Sequence, residues 1–136
     1  MKYLLDANAC IRYLNGQSDG IRRMLETLSY GEAVLCSVVR AELLYGALKS
    51  AQPQRNAERL VHFFRGFPCL PFDEPASDAY AELRLRLERV GTPVGPNDLL
   101  IAAVALARQL TLVTHNTREF GRIEGLSVQD WEASPA

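Results

Sequence analysis

The chain has 136 residues, 48% of them hydrophobic, which is enough to bury one core and too little to divide comfortably into two. Its 15 basic and 16 acidic residues leave a formal charge of −1, which excludes a protein that coats nucleic acid by net charge, so any nucleic-acid contact needs a local basic patch. Cys10, Cys36 and Cys69 include no CxxC pair and His62 and His115 are far apart, so disulfide frameworks and histidine-rich metal sites are excluded, and any metal must be held by oxygen.

The apolar start Met1 to Leu5 is too short for a signal peptide or a membrane span, and a cytoplasmic protein is expected. Tyr3 to Asp6 has the pattern of a buried strand closing on a carboxylate, with a helix over Ala9–Leu14 behind it. Gln17 to Gly20 marks a turn, and Ile21, Met24, Leu25 and Leu28 share one face of a helix over 21–28. Ala33 to Cys36 is a second buried strand. Helical spacing then runs from Val38 to Leu48, with Ser37 placed to cap it and Glu42 inside the apolar pattern.

Pro53 breaks the chain before a helix over 55–64, and Cys69 to Phe72 is a short third strand. A long helix over 73–90 carries Arg84, Arg86 and Arg89 on a solvated side, with Leu83, Leu85 and Leu87 as packing residues. Gly91, Pro93, Gly95 and Pro96 form a loop, after which the alanine-rich stretch Asp98–Leu110 predicts a helix buried on much of its circumference. Thr111 to Thr114 is a fourth strand, His115 to Arg118 a polar loop, and Val128 and Trp131 lie in a short final segment. Strands alternating with helices predict one α/β domain over 1–136: a central parallel sheet of four to five strands with helices on both faces.

In such sheets ligands sit beyond the carboxyl ends of the strands. Asp6, Asn8, Ser37, Thr114 and Asn116 follow strands, while Glu42 and Asp98 stand near helix starts that lean over the same rim. Taken singly, Asp6 is equally readable as a helix cap and Asp98 as a carboxylate favoured by a helix dipole. Glu42 is harder to assign to structure, because a charge inside an apolar pattern is costly to bury without a partner. Three gathered carboxylates raise each other's pKa unless a cation lies among them, and an oxygen-only donor set suits Mg2+ or Mn2+, ions that serve phosphodiester hydrolysis.

Four segments carry a family resemblance: LLDAN at 4–8, SVVRAELLYG at 37–46, GTPVGPNDLLIAA at 91–103 and LVTHNTREF at 112–120. Together, in this order and over nearly the whole chain, they resemble the signatures of VapC-type PIN-domain toxins. The resemblance implies a PIN-like fold and a metal-dependent, sequence-selective endoribonuclease that cuts RNA, often transfer or ribosomal RNA, and is restrained by a cognate antitoxin. It places Asp6, Glu42 and Asp98 on the acidic metal-binding positions, and Asn8 and Thr114 on polar positions beside them. The family's fourth acidic position falls on Asn116, which joins the catalytic set, while Glu119 is the neighbour able to substitute through a water. A homodimer is implied as well, as is an antitoxin whose C-terminal segment covers the acidic rim. Arg40, Arg84, Arg86 and Arg118 are the candidates for gripping RNA.

Two other α/β enzymes begin with a strand ending in Asp or cluster acids on a sheet: haloacid-dehalogenase-like phosphatases and response-regulator receivers. Both need a later lysine, and Lys49 is the last one in this chain; the phosphatases also need Asp where Asn8 stands. A PIN fold reduced to a docking module is a further alternative, and retention of the three acids argues against it.

Overall fold

The computed structural model describes residues 1–132. In chain order the elements are β1 (Tyr3–Leu5), α1 (Ala7–Leu14), α2 (Asp19–Glu26), β2 (Ala33–Cys36), α3 (Ser37–Leu48), α4 (Pro53–Phe64), β3 (Cys69–Leu70), α5 (Glu74–Val90), α6 (Pro96–Arg108), β4 (Thr111–Val113), α7 (Thr117–Phe120) and β5 (Val128–Gln129). The strands form one sheet in the order β3-β2-β1-β4-β5, and every pair is parallel. From β1 the chain winds outward through β2 to β3, then crosses back to β4 and β5. Its switch point therefore lies between β1 and β4, where a crevice opens at the strands' carboxyl ends.

The central strands are covered on both faces, which is why they are runs of apolar residues and not alternating patterns. Leu4, Leu5, Val34, Leu35, Leu112 and Val113 are all buried and belong to one contiguous cluster. In α6, Ile101, Ala102, Ala103 and Ala105 are fully buried, as the alanine-rich sequence predicts. The alanines among its larger apolar residues let this helix pack closely in the core and hold its first turn at the rim.

The last described segment is fastened by a close approach. A side chain at Gly20 would place its Cβ 2.0 Å from the carbonyl oxygen of Trp131, so only glycine lets the start of α2 pass this backbone. The Trp131 ring meets Tyr3 edge-on at 5.1 Å between centroids. Beside β4, β5 brings this segment back to the rim.

Several sequence expectations change in detail. Ser37 is not the cap of α3: Cys36 holds that position, and the Ser37 hydroxyl donates instead to the Leu70 carbonyl at 3.3 Å, tying α3 to β3. Leu83 and Leu87 are buried but Leu85 is 49% exposed, because residues two apart on a helix point to different faces. The turn at Gln17–Gly20 is partly helix, with Ser18 accepting from the Ile21 amide as the cap of α2. Of the three thiols Cys10 and Cys36 are buried, whereas Cys69 is exposed on the edge strand β3. The polar loop after β4 contains the short helix α7, anchored by the fully buried Phe120.

Candidate active site at the sheet switch point

Asp6 is where β1 stops. Its extended backbone and its side chain turn the chain into α1, with Oδ1 accepting from the Ala9 amide at 2.8 Å. The capping role and the rim position thus belong to the same residue. Its own amide donates to the Val113 carbonyl at 3.1 Å, locking it beside the end of β4. Only 4% of Asp6 is exposed, and burial pushes its pKa up. Hydrogen bonding from the Thr114 hydroxyl and the Ala9 amide pulls the other way, while nearby Glu132 and Asp130 add to the rise. Thr114 is itself oriented, since its oxygen accepts from the Asn116 amide at 3.0 Å.

Glu42 reaches the rim from the second turn of α3. Its pKa is raised by partial burial and by Asp6, and held back by hydrogen bonding with the Asn97 side chain. Asp98 sits in the first turn of α6, where the helix dipole favours a carboxylate. Its pKa is nevertheless raised to about 6, first by burial, then by the charges of Glu119, Asp6 and Glu42. Desolvation and like charge outweigh the dipole. The acids named in the sequence are therefore brought within electrostatic reach of one another.

Asn116 has a different place from the three acids. It stands at the N-terminal position of α7 without a side-chain cap bond, and its Nδ2 donates to Glu119 Oε2 at 2.9 Å while the Gly95 amide donates to Oε1 at 2.6 Å. Glu119 is thereby clamped from both sides, and it is the largest charge acting on Asp98. A Cβ at Gly95 would stand 3.6 Å from Glu119 Oε1 and 3.8 Å from Asp98 Oδ2, so the bare glycine lies against both carboxylates. A sequence signal for this existed: Asn followed three residues later by Glu marks a helix start.

Asp130 and Glu132 were missed altogether. With His115 they form a group whose ligand atoms lie within 4.8 Å of one another, among the described residues, whereas Asp6, Glu42 and Asp98 stand further apart. Both acids of this second group have partners: His115 Nδ1 is 2.9 Å from Asp130 Oδ2, and Arg12 Nε, from outside the group, donates to Glu132 Oε1 at 2.6 Å. Asn8 is exposed on α1 next to the site.

Of the arginines, Arg84 is occupied by Glu88 and Tyr80, Arg86 by the Glu124 carbonyl, and Arg40 lies over the Phe64 ring at 4.5 Å. Arg118 lines a cleft with Gly95, Asn116 and Glu119, directly beside the acidic rim.

The parallel sheet and the acidic crevice at its switch point define a PIN domain, and residues 3–126 match the PIN domain family model. The chain is 39% identical over 131 residues to the tRNA(fMet)-specific endonuclease VapC of Shigella flexneri, covering 96% of this chain and 98% of that protein. Solved relatives are similar throughout: VapBC2 from Rickettsia felis bound to a promoter DNA fragment has a TM-score of 0.90 at 38% identity, covering 96% of this chain and 99% of that one. DNA-bound VapBC from Salmonella typhimurium has a TM-score of 0.92 at 37% identity, covering 96% and 98%. The chain belongs to the PIN-domain family as a VapC-type ribonuclease, the toxin member of a toxin-antitoxin pair.

Proposed function

We propose that this toxin is an Mg2+- or Mn2+-dependent, sequence-selective endoribonuclease in which Asp6, Glu42 and Asp98 hold the metal. The observation that carries the reading is Asp98, pushed to about 6 by burial and by three neighbouring carboxylates, a site whose charge calls for a cation. The donor set fits: three carboxylates, all raised by burial and by nearby charge, make an oxygen-only set of the kind Mg2+ and Mn2+ take. When bound, the ion neutralises the phosphodiester and makes a water nucleophilic at neutral pH.

The remaining work falls to the chain's own groups. Asp6 is held in one orientation by the Ala9 amide and the Thr114 hydroxyl, so its carboxylate is preorganised. Asn116 acts through Glu119, fixing that carboxylate against Asp98, and is a positioning residue of the catalytic set. Arg118, beside Asn116 and Glu119, is placed to fork onto a substrate phosphate. No covalent enzyme intermediate is needed.

Substrate and partners complete the reading. The Shigella relative is named for initiator transfer RNA, which makes structured transfer RNA the first substrate to try, with ribosomal RNA next. The solved relatives are toxin-antitoxin complexes, and a cognate antitoxin covering the acidic rim is the expected restraint. Leu85 and Val90, exposed on α5, offer apolar helix surface for a homodimer. The assignment includes the cytoplasm; no described helix is long and apolar enough to cross a membrane. One PIN domain over 1–136 accounts for all of this.

The test is cleavage of a mixed cellular RNA pool by antitoxin-free protein with Mn2+ or Mg2+. Discrete cuts that vanish with chelator and in Asp6→Asn support the reading. Well-folded protein that leaves every RNA intact under both metals would reduce the chain to a docking module.

A further inference from the structure

A second groove of about 250 Å³ opens beside the acidic rim, between α1, α3 and α4, and Glu42 is one of its walls. Ile11, Leu43, Gly46, Asn56 and Arg59 supply much of the rest. We propose that this groove receives one unstacked nucleobase of the RNA substrate, that of a nucleotide adjoining the scissile phosphate, and so sets part of the sequence preference. The inference rests on the ribonuclease reading above and assigns that site a base-binding pocket.

Gly46 is the first argument. It sits inside α3, where glycine costs about 1 kcal/mol relative to alanine. Its φ is not positive, and a Cβ built on it meets nothing within 4 Å, so neither backbone conformation nor packing demands glycine here. What the missing side chain does is leave the groove floor open to a ligand approaching the helix backbone.

Asn56 is the second. Its Nδ2 donates to Ser50 Oγ at 2.9 Å, and the Ser50 hydroxyl donates to the Ala47 carbonyl at 2.6 Å. This chain of bonds fixes the amide plane in advance and leaves Oδ1 and the second N–H for the edge of a base. Arg59 is likewise anchored, through a 2.9 Å bond to the Leu14 carbonyl. Ile11, 41% exposed, provides apolar surface for one face of a ring. A groove of this volume suits a planar base and not a helix about 10 Å across. Continuity with Glu42 places such a base next to the phosphate that the acids would engage.

The experiment uses a library of RNA hairpins with randomised loops, cut by antitoxin-free full-length protein with Mn2+. Wild type should show a base preference at one position adjoining the cut. Gly46→Leu, which fills the floor, should lower cleavage of the preferred loop by roughly 10-fold or more and flatten that preference. Asn56→Ala should change which base is preferred, and the remaining cuts should still need the metal. Wild-type rates and preferences in both variants would overturn the proposal. So would unchanged preference combined with lost binding of a co-expressed antitoxin, which would give the groove to the protein partner. If Gly46→Leu does not fold, Asn56→Ala decides alone. A wild type that leaves the library uncut sinks the ribonuclease reading itself, an outcome distinct from variants that cut with wild-type rates and preferences.

Discussion

Acidic residues meet opposite fates in two regions of this molecule. Away from the rim they are matched with cations or backbone amides: Glu32 takes the Ser29 amide and Lys2, Asp73 takes the Ala76 amide and Arg108, and the pKa values of both are lowered. At the switch point burial raises the pKa values of Asp6, Glu42 and Asp98, and nearby carboxylates add to each rise. The first group stabilises the fold by its charge. The charge of the second is only partly offset by hydrogen bonds such as that from the Ala9 amide to Asp6, a local cost that the buried sheet and α6 sustain and one in keeping with the active site proposed above.

The largest effect should come from neutralising Asp98. Asp98→Asn should lower metal-dependent RNA cleavage by about a hundredfold or more, by analogy with removing one electrostatic group from other preorganised sites. It should also raise the melting temperature of the metal-free protein, because it removes charge from a repelling cluster. Activity assays and thermal melts in chelator test both halves. A fall in the metal-free melting temperature would show that Asp98 serves the fold, and the contrast between the regions would collapse.

Next in size is the support beneath the rim. Phe120 is fully buried at the end of α7, one residue after Glu119. Phe120→Ala should cost about 3–5 kcal/mol of stability in denaturant titration. It should weaken cleavage further than destabilisation alone, since α7 holds the Glu119 carboxylate against Gly95 and Asn116. Wild-type activity at temperatures where the variant stays folded would detach Glu119 from the site.

A smaller, pH-dependent effect separates the regions by sign. With Asp98 at about 6 when folded against 3.8 as its ordinary value, the folded state holds that proton more tightly. Its contribution therefore favours folding below about pH 4 and is lost as the pH rises through about 6. The difference in metal-free stability between Asp98→Asn and wild type should accordingly widen across that window. Added Mn2+ should reverse the trend, because metal binding displaces the proton and grows stronger with pH. A difference independent of pH would mean that Asp98 titrates normally.

The contrast was only half legible in the sequence. Asp6, Glu42 and Asp98 could be placed because strand ends and helix starts fix where short segments meet a sheet edge. The all-apolar strands and the alanine-rich α6 were legible because burial on every side leaves a compositional trace. Asp130 and Glu132 were not, since their closeness to Asp6 depends on β5 pairing beside β4, a contact spanning most of the chain. Asn116 was picked for its position, yet its amide serves Glu119, and local sequence does not show which way a loop amide points. The cap expected at Ser37 failed for a related reason: the Ser37 hydroxyl found a partner in β3, and tertiary contact overrode the local preference.

The smallest effect lies at the opposite region. Arg108→Ala removes the cation beside Asp73, a pair that is partly open to solvent. The Asp73 pKa, lowered chiefly by the Ala76 amide and then by Arg108, should rise but stay below its ordinary value, because the amide remains. A lowered carboxylate stabilises the fold above the ordinary carboxylate range and loses that contribution as pH falls through its folded value. The variant should therefore be slightly less stable than wild type at neutral pH, and equal to it in strong acid. Raised salt should narrow the neutral-pH difference, as screening does for exposed pairs. Cleavage should be unaffected, since this pair has no part in the acidic rim. A loss of stability at neutral pH as large as that of Phe120→Ala would mean that pairing outside the rim governs the fold, and that the cost carried by the rim is set against ion pairs and not against the apolar core.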